Sequence, residues 1–95
     1  MTGKARRFDD AIAQYQQLVV DYTRVRGADY RNTLTMRANL ADVTGRAGRV
    51  NDAVAQLRQL ADDMNRVLDA DDPDVRSTQN LLASWIKRSR EMPAP

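Results

Sequence analysis

The sequence predicts an all-α fold, an α-solenoid of antiparallel helical hairpins. Three observations carry that prediction. The chain repeats itself: TGKARRFDDAIAQYQQLVVDYTRV, Thr2 to Val25, returns 42 positions later as TGRAGRVNDAVAQLRQLADDMNRV, Thr44 to Val67. In both copies the apolar residues step by three and four, which places them on one face of a helix. Aromatic residues are few while Ala, Arg, Asp and Gln are many, a balance that favours helix over sheet. A period of about 20–50 residues marks stacked units, none of which buries its apolar face alone. A propeller blade of similar length would show strict alternation instead.

The elements follow in order. The first long helix, about 7–26, carries Phe8, Ala11, Ile12, Tyr15, Leu18, Val19, Tyr22 and Val25 on its apolar face. A shorter helix, 31–45, follows in YRNTLTMRANLADVTG, whose apolar face is Leu34, Ala38, Ala41 and Thr44 or Leu40 and Val43, depending on the phase, with Gly45 and Gly48 as stop signals. The second long helix, 49–69, repeats the first through Val50, Ala53, Val54, Leu57, Leu60, Ala61, Met64 and Val67. The last helix, 73–90, has the sharpest start. Asp72 can cap it, Pro73 fits its first position, and Asp74 suits the positive end of the helix dipole. Its apolar face is Val75, Thr78, Leu81, Leu82, Trp85 and Ile86, and MPAP reads as a frayed tail. Both long stripes also fit heptad a and d positions, but each is too short for a convincing coiled coil. Together these make one helical domain over residues 1–95.

Composition removes several function classes. The 95 residues include no Cys and no His, so disulfides, thiolate metal sites, imidazole zinc ligands and Ser–His dyads are absent. No stretch is long and apolar enough to span a membrane, and the basic N-terminus lacks the apolar core of a secretory signal. A cytoplasmic location is the expectation. Adjacent acids such as Asp9 and Asp10, or Asp62 and Asp63, do not face each other on a helix. No nucleophile, base and orienting group can be assembled, so an enzyme is not expected and no cofactor is implied.

Two charged features invite other readings. DADDPD, Asp69 to Asp74, resembles a calcium loop in acidity only. It lacks the turn glycine and closing glutamate of an EF-hand, so its carboxylates read as helix caps in a solvated loop. Three basic clusters, Lys4/Arg6/Arg7, Arg46/Arg49 and Lys87/Arg88/Arg90, invite a reading in which they track a phosphate backbone. No aromatic residue interleaves with them, and the net charge is only +2, which disfavours nucleic acid.

The residues also resemble a known family. GRVNDA at Gly48 to Ala53, the long helix after it, the loop, and TMRANLA at Thr35 to Ala41 look like the tetratricopeptide repeat. The 42-residue variety of kinesin light chains and many bacterial multi-repeat proteins is the closer likeness, and LDADDPDVRST, Leu68 to Thr78, is similar to its loop. The chain departs from that pattern in three respects: Arg31 replaces the loop proline, Thr44 and Ile86 each replace a tyrosine, and Leu81 replaces an asparagine kept at Asn39. The resemblance implies that the short helices are the inner, A-type helices and the long ones the outer, B-type helices. The order is then B–A–B–A.

The resemblance further implies a protein–protein interaction scaffold that holds a peptide or helix along the inner face of the short helices. The residues implied there are Thr35, Ala38 and Asp42 in the first, and Ser77, Asn80, Ser84, Lys87 and Arg88 in the second. Asn80, Lys87 and Arg88 would grip a carboxylate or backbone. An array that starts and stops in mid-repeat exposes two ends, one with Phe8, Tyr15 and Tyr22, the other with Trp85 and Ile86. A homodimer through these ends is one expectation, and a monomeric piece of a longer array is the other. Trp85, the sole tryptophan, reads equally as a partner anchor or as a core residue.

Overall fold

A computed structural model of the chain describes residues 2–91, with side chains from Arg7 onward. Four helices account for the secondary structure of these residues: α1 (Thr2–Arg26), α2 (Arg31–Arg46), α3 (Val50–Val67) and α4 (Pro73–Glu91). Each packs against the next, and α4 also reaches back to α2. The helices follow one another in the expected B–A–B–A order, but the expected difference in length holds only for the first pair: α4 has 19 residues against 18 in α3, which stops at Val67. α1 starts ahead of Phe8, where its apolar stripe begins, because TGKARR contains no residue that stops a helix apart from one tolerated glycine. The MPAP tail and the side chains of Lys4 and Arg6 lie outside the described residues.

The turns follow from local chemistry. α2 ends in a Schellman motif: Gly48 takes a φ of 96°, its N–H donates to Gly45 O at 3.0 Å, and the Arg49 N–H donates to Thr44 O at 3.1 Å. Gly48 is therefore the stop signal. Gly45 is not one, since it lies inside α2 and is buried. At the other end of α2, the fully buried Thr33 donates its hydroxyl to Gly27 O at 3.0 Å and fixes the α1–α2 loop. α4 starts as its sequence predicts, with the Asp74 N–H donating to the Asp72 carboxylate at 2.9 Å.

The acidic loop pairs with an arginine. Arg31, the first residue of α2, donates from both terminal nitrogens to Asp72 at 3.1 and 2.9 Å, and also pairs with Asp74. This fork ties the starts of α2 and α4 together, at the position where Arg31 replaces the loop proline. Hydrogen bonds to Asp72 and then Asp74 hold the Arg31 guanidinium above its ordinary pKa. The Arg31 bond, helped by the Asp74 backbone N–H, holds Asp72 below the usual carboxylate range.

The core lies where α2, α3 and α4 meet. Leu34, Ala41, Leu57, Leu60, Met64 and Val75 form it, with Ala38, Leu68, Leu81, Leu82 and Trp85 packed around them. α3 has α2 on one flank and α4 on the other. α1 has only α2. Positions 42 apart therefore point the same way but differ in cover. Ala53, Leu57 and Met64 are buried, while Ala11, Tyr15 and Tyr22 are half-buried. Leu60 is 0% exposed and Leu18 is 38% exposed.

That contrast sets a test by thermal or denaturant unfolding. Leu60→Ala should cost about 2–5 kcal/mol, as expected of a fully buried leucine. Leu18→Ala, at the equivalent place in α1, should cost under about 1 kcal/mol.

Candidate functional site

The surface between α2 and α4 carries two depressions. The smaller, about 210 Å³, is lined by Thr35, Ala38, Asn39, Asp74, Ser77 and Thr78, with Met64 and Leu81 contributing apolar surface. The larger, about 620 Å³, lies where the end of α2, the second half of α4 and the start of α1 come together. Asp42, Gly45, Arg46, Ser84, Trp85, Arg88 and Phe8 are among its lining residues. Leu81 lines both depressions and forms the ridge between them. The groove thus brings together Thr35, Ala38 and Ser77 on one side of Leu81, and Asp42, Ser84 and Arg88 on the other. Asn80 and Lys87 line neither depression and are exposed on α4.

Trp85 organises the larger depression. Its indole lies on Gly45 of α2, so closely that a Cβ there would sit 2.7 Å from Cε2 and Cζ2 of the ring. The indole Nε1 donates to Asp42 at 3.2 Å, while Arg46 Nε donates to the other oxygen of the same carboxylate at 3.0 Å. Asp42 therefore holds α2 and α4 together as well as lining the groove. Arg88 stands 6.0 Å from the Trp85 ring centroid, a cation–π distance, and forms no ion pair among the described residues.

The sequence predicts Phe8 and Trp85 at opposite ends of the array, and the structure lines one depression with both. The reason is direction. α1 runs antiparallel to α2 and α4 runs parallel to it, so the start of α1 and the latter part of α4 both lie beside the end of α2. The missing Cβ at Gly45 then lets the indole turn inward. Tyr15 and Tyr22 are half-buried on α1, away from this depression, and Ile86 is half-buried on α4. Leu81, Arg46 and Asn39 join the groove although the sequence did not single them out for it. A residue three or four places from an expected one on the same helix face was the available signal.

Several charges of the basic and acidic clusters are paired within the fold. Arg46 meets Asp42, Arg49 approaches Asp9 at 3.8 Å, and Arg37 of α2 meets Asp63 of α3 at 2.8 Å. Burial pushes the Asp63 pKa up, but hydrogen bonds from Arg37 and Gln59 outweigh it and hold the carboxyl below its ordinary value. No group of three or more acidic side chains converges as metal ligands among the described residues. None of the described helices is long and apolar enough to cross a membrane.

Gly45→Ala separates two opposing effects. Alanine in a helix interior gains about 1 kcal/mol over glycine. Overpacking against a fixed ring costs about 1–3 kcal/mol. The prediction is a net loss of stability together with red-shifted Trp85 emission. In a Trp85→Ala background the same Gly45→Ala change should stabilise, as a double-mutant cycle by chemical denaturation would read.

The comparisons with known proteins agree with this geometry. The family model described as Tetratricopeptide repeat matches residues 33–74, the same 42-residue length as the internal period. That span covers most of α2, all of α3 and the first two residues of α4, which is one A helix, one B helix and the start of the next A helix. No curated protein and no solved structure matches the chain. Tetratricopeptide repeats in general mediate protein–protein interactions. With its A-type and B-type helices stacked in register and its central hairpin matched by the family model, the chain carries a tetratricopeptide repeat.

Proposed function

We propose that this chain is a non-catalytic interaction scaffold, a single domain over residues 1–95 that works in the cytoplasm. It holds a peptide or short helix in the groove between α2 and α4. The carrying observation is the pairing of two depressions about the Leu81 ridge with cations along one edge. Leu81, half-buried between the two depressions, offers apolar surface to a ligand side chain. Arg88, stacked on Trp85, and the exposed Lys87 and Asn80 offer donors to a carboxylate or a backbone carbonyl. Thr35, Ala38 and Ser77 line the wall of the smaller depression, and Ser84 with Asp42 that of the larger.

A second reading is self-association. Its support is the apolar surface left on α1, where Leu18, Val20 and Val25 are exposed. In that reading Phe8, Tyr15, Tyr22, Trp85 and Ile86 contribute to a homodimer contact.

The scaffold reading is tested with an array of acidic peptides of about ten residues, followed by titration of the strongest binders. Sole-tryptophan fluorescence reports occupancy of the groove. Replacing Lys87 and Arg88 together with glutamate should weaken binding at least about tenfold, the scale of one lost charge-assisted hydrogen bond. The molar mass in solution should stay the same. Binding that ignores both substitutions would refute a groove read by these cations, and a mass that halves would favour self-association.

A further inference from the structure

α1 and α3 carry the same polar triad. Gln17 donates to Asp21 at 3.0 Å as Gln59 does to Asp63 at 3.0 Å, and Arg24 leans on Asp21 as Arg66 leans on Asp63. The copy in α3 has one more member, Arg37 from α2, which reaches Asp63 at 2.8 Å. The copy in α1 has no arginine from a second helix among the described residues. Exposure follows: the Asp63 side chain is 14% exposed and that of Asp21 is 44% exposed. Beside Asp21, the side chains of Leu18, Tyr22, Val25 and Arg26 outline an apolar depression of about 190 Å³. Their equivalents Leu60 and Met64 are buried in the core. α1 thus keeps the α3 half of the α2–α3 contact and lacks the α2 half.

We propose that this flank of α1 docks a helix of a separate polypeptide built on the plan of α2. It carries small apolar residues at i, i+4 and i+7, as Leu34, Ala38 and Ala41 do, and an arginine at i+3, as Arg37 does. The apolar residues cover Leu18 and Tyr22, and the arginine completes the Asp21 triad. A head-to-tail second copy fits poorly. Its equivalent helix, α4, has exposed Arg76, Gln79 and Asn80 at the positions of Leu34, Arg37 and Ala38. Arg76, which approaches Asp71 at 3.9 Å, would bring a charge onto Leu18 where α2 has the fully buried Leu34. This surface is separate from the groove between α2 and α4, so the two proposals fail independently.

The probe is a labelled synthetic peptide of α2's own sequence, RNTLTMRANLADVTGR, titrated with the full chain and read by fluorescence anisotropy. Binding is expected, and the α4 sequence, PDVRSTQNLLASWIKRSRE, should not bind. Asp21→Arg in the chain, or Arg37→Asp in the peptide, should each weaken binding about tenfold. The two changes together should restore it. Leu18→Asp, at an exposed site, should abolish it while leaving the helical circular dichroism unchanged. Absent binding, or binding indifferent to both Asp21 and Leu18, overturns the proposal. So does a chain that is dimeric alone and becomes monomeric with Leu18→Asp, because the flank is then occupied by a second α1.

Discussion

The stripe of Ala53, Leu57, Leu60 and Met64 on α3 is the contact on which the other elements depend. It is buried because α2 lies on one flank and α4 on the other. Isolated helices of this length are marginal in water, and their stability here comes from the apolar face each hides against a neighbour. α2 presents Leu34 and Ala41 to the shared core, α4 presents Val75, and the Arg31 fork on Asp72 and Asp74 links the starts of α2 and α4 across the spacing between them. The groove is the surface that this spacing leaves open on the inner side. Function and stability thus share one constraint: whatever separates α4 from α2 also changes the shape offered to a ligand.

Stability is graded along the array for the same reason. α3 is covered on two flanks and α1 on one, so equivalent side chains pass from buried to partly exposed over a shift of 42 residues. The two ends are also unlike each other. α4 turns Arg76, Gln79, Asn80 and Lys87 outward, all exposed polar residues, where α2 uses Leu34, Arg37, Ala38 and Gly45. α1 instead leaves Leu18 and Val25 in solvent. The outer flank of α4 is therefore polar where the corresponding flank of α2 is apolar, and the outer flank of α1 is apolar and exposed.

Most of the fold was legible because the chain states it twice. Two copies of one apolar spacing define two equivalent helices, and Asp72-Pro73-Asp74 marks a helix start with little ambiguity. The bounds moved where local signals conflict. α3 ends at Val67 because Leu68 takes up an extended conformation leading into the acidic loop. Gly45 reads as a stop, yet its role is to let the indole approach, a contact between residues distant in sequence. Its one local clue is position, a glycine inside a helical pattern ahead of a second glycine that already ends the helix. The inward turn of Trp85 was illegible for the same reason, since its stripe fits a core side chain and an exposed anchor equally. The polar outer face of α4 was in principle readable by setting Arg76 against Leu34 at the repeat offset.

Amide hydrogen exchange resolved by residue tests the graded array most directly. Amides near Leu57, Leu60 and Met64 in α3 should exchange slowest, close to the rate of global unfolding. Those near Tyr15, Leu18 and Tyr22 in α1 should exchange faster, although the helix is longer. Equal protection in the two helices, or slower exchange in α1, would contradict an α1 covered on one flank only.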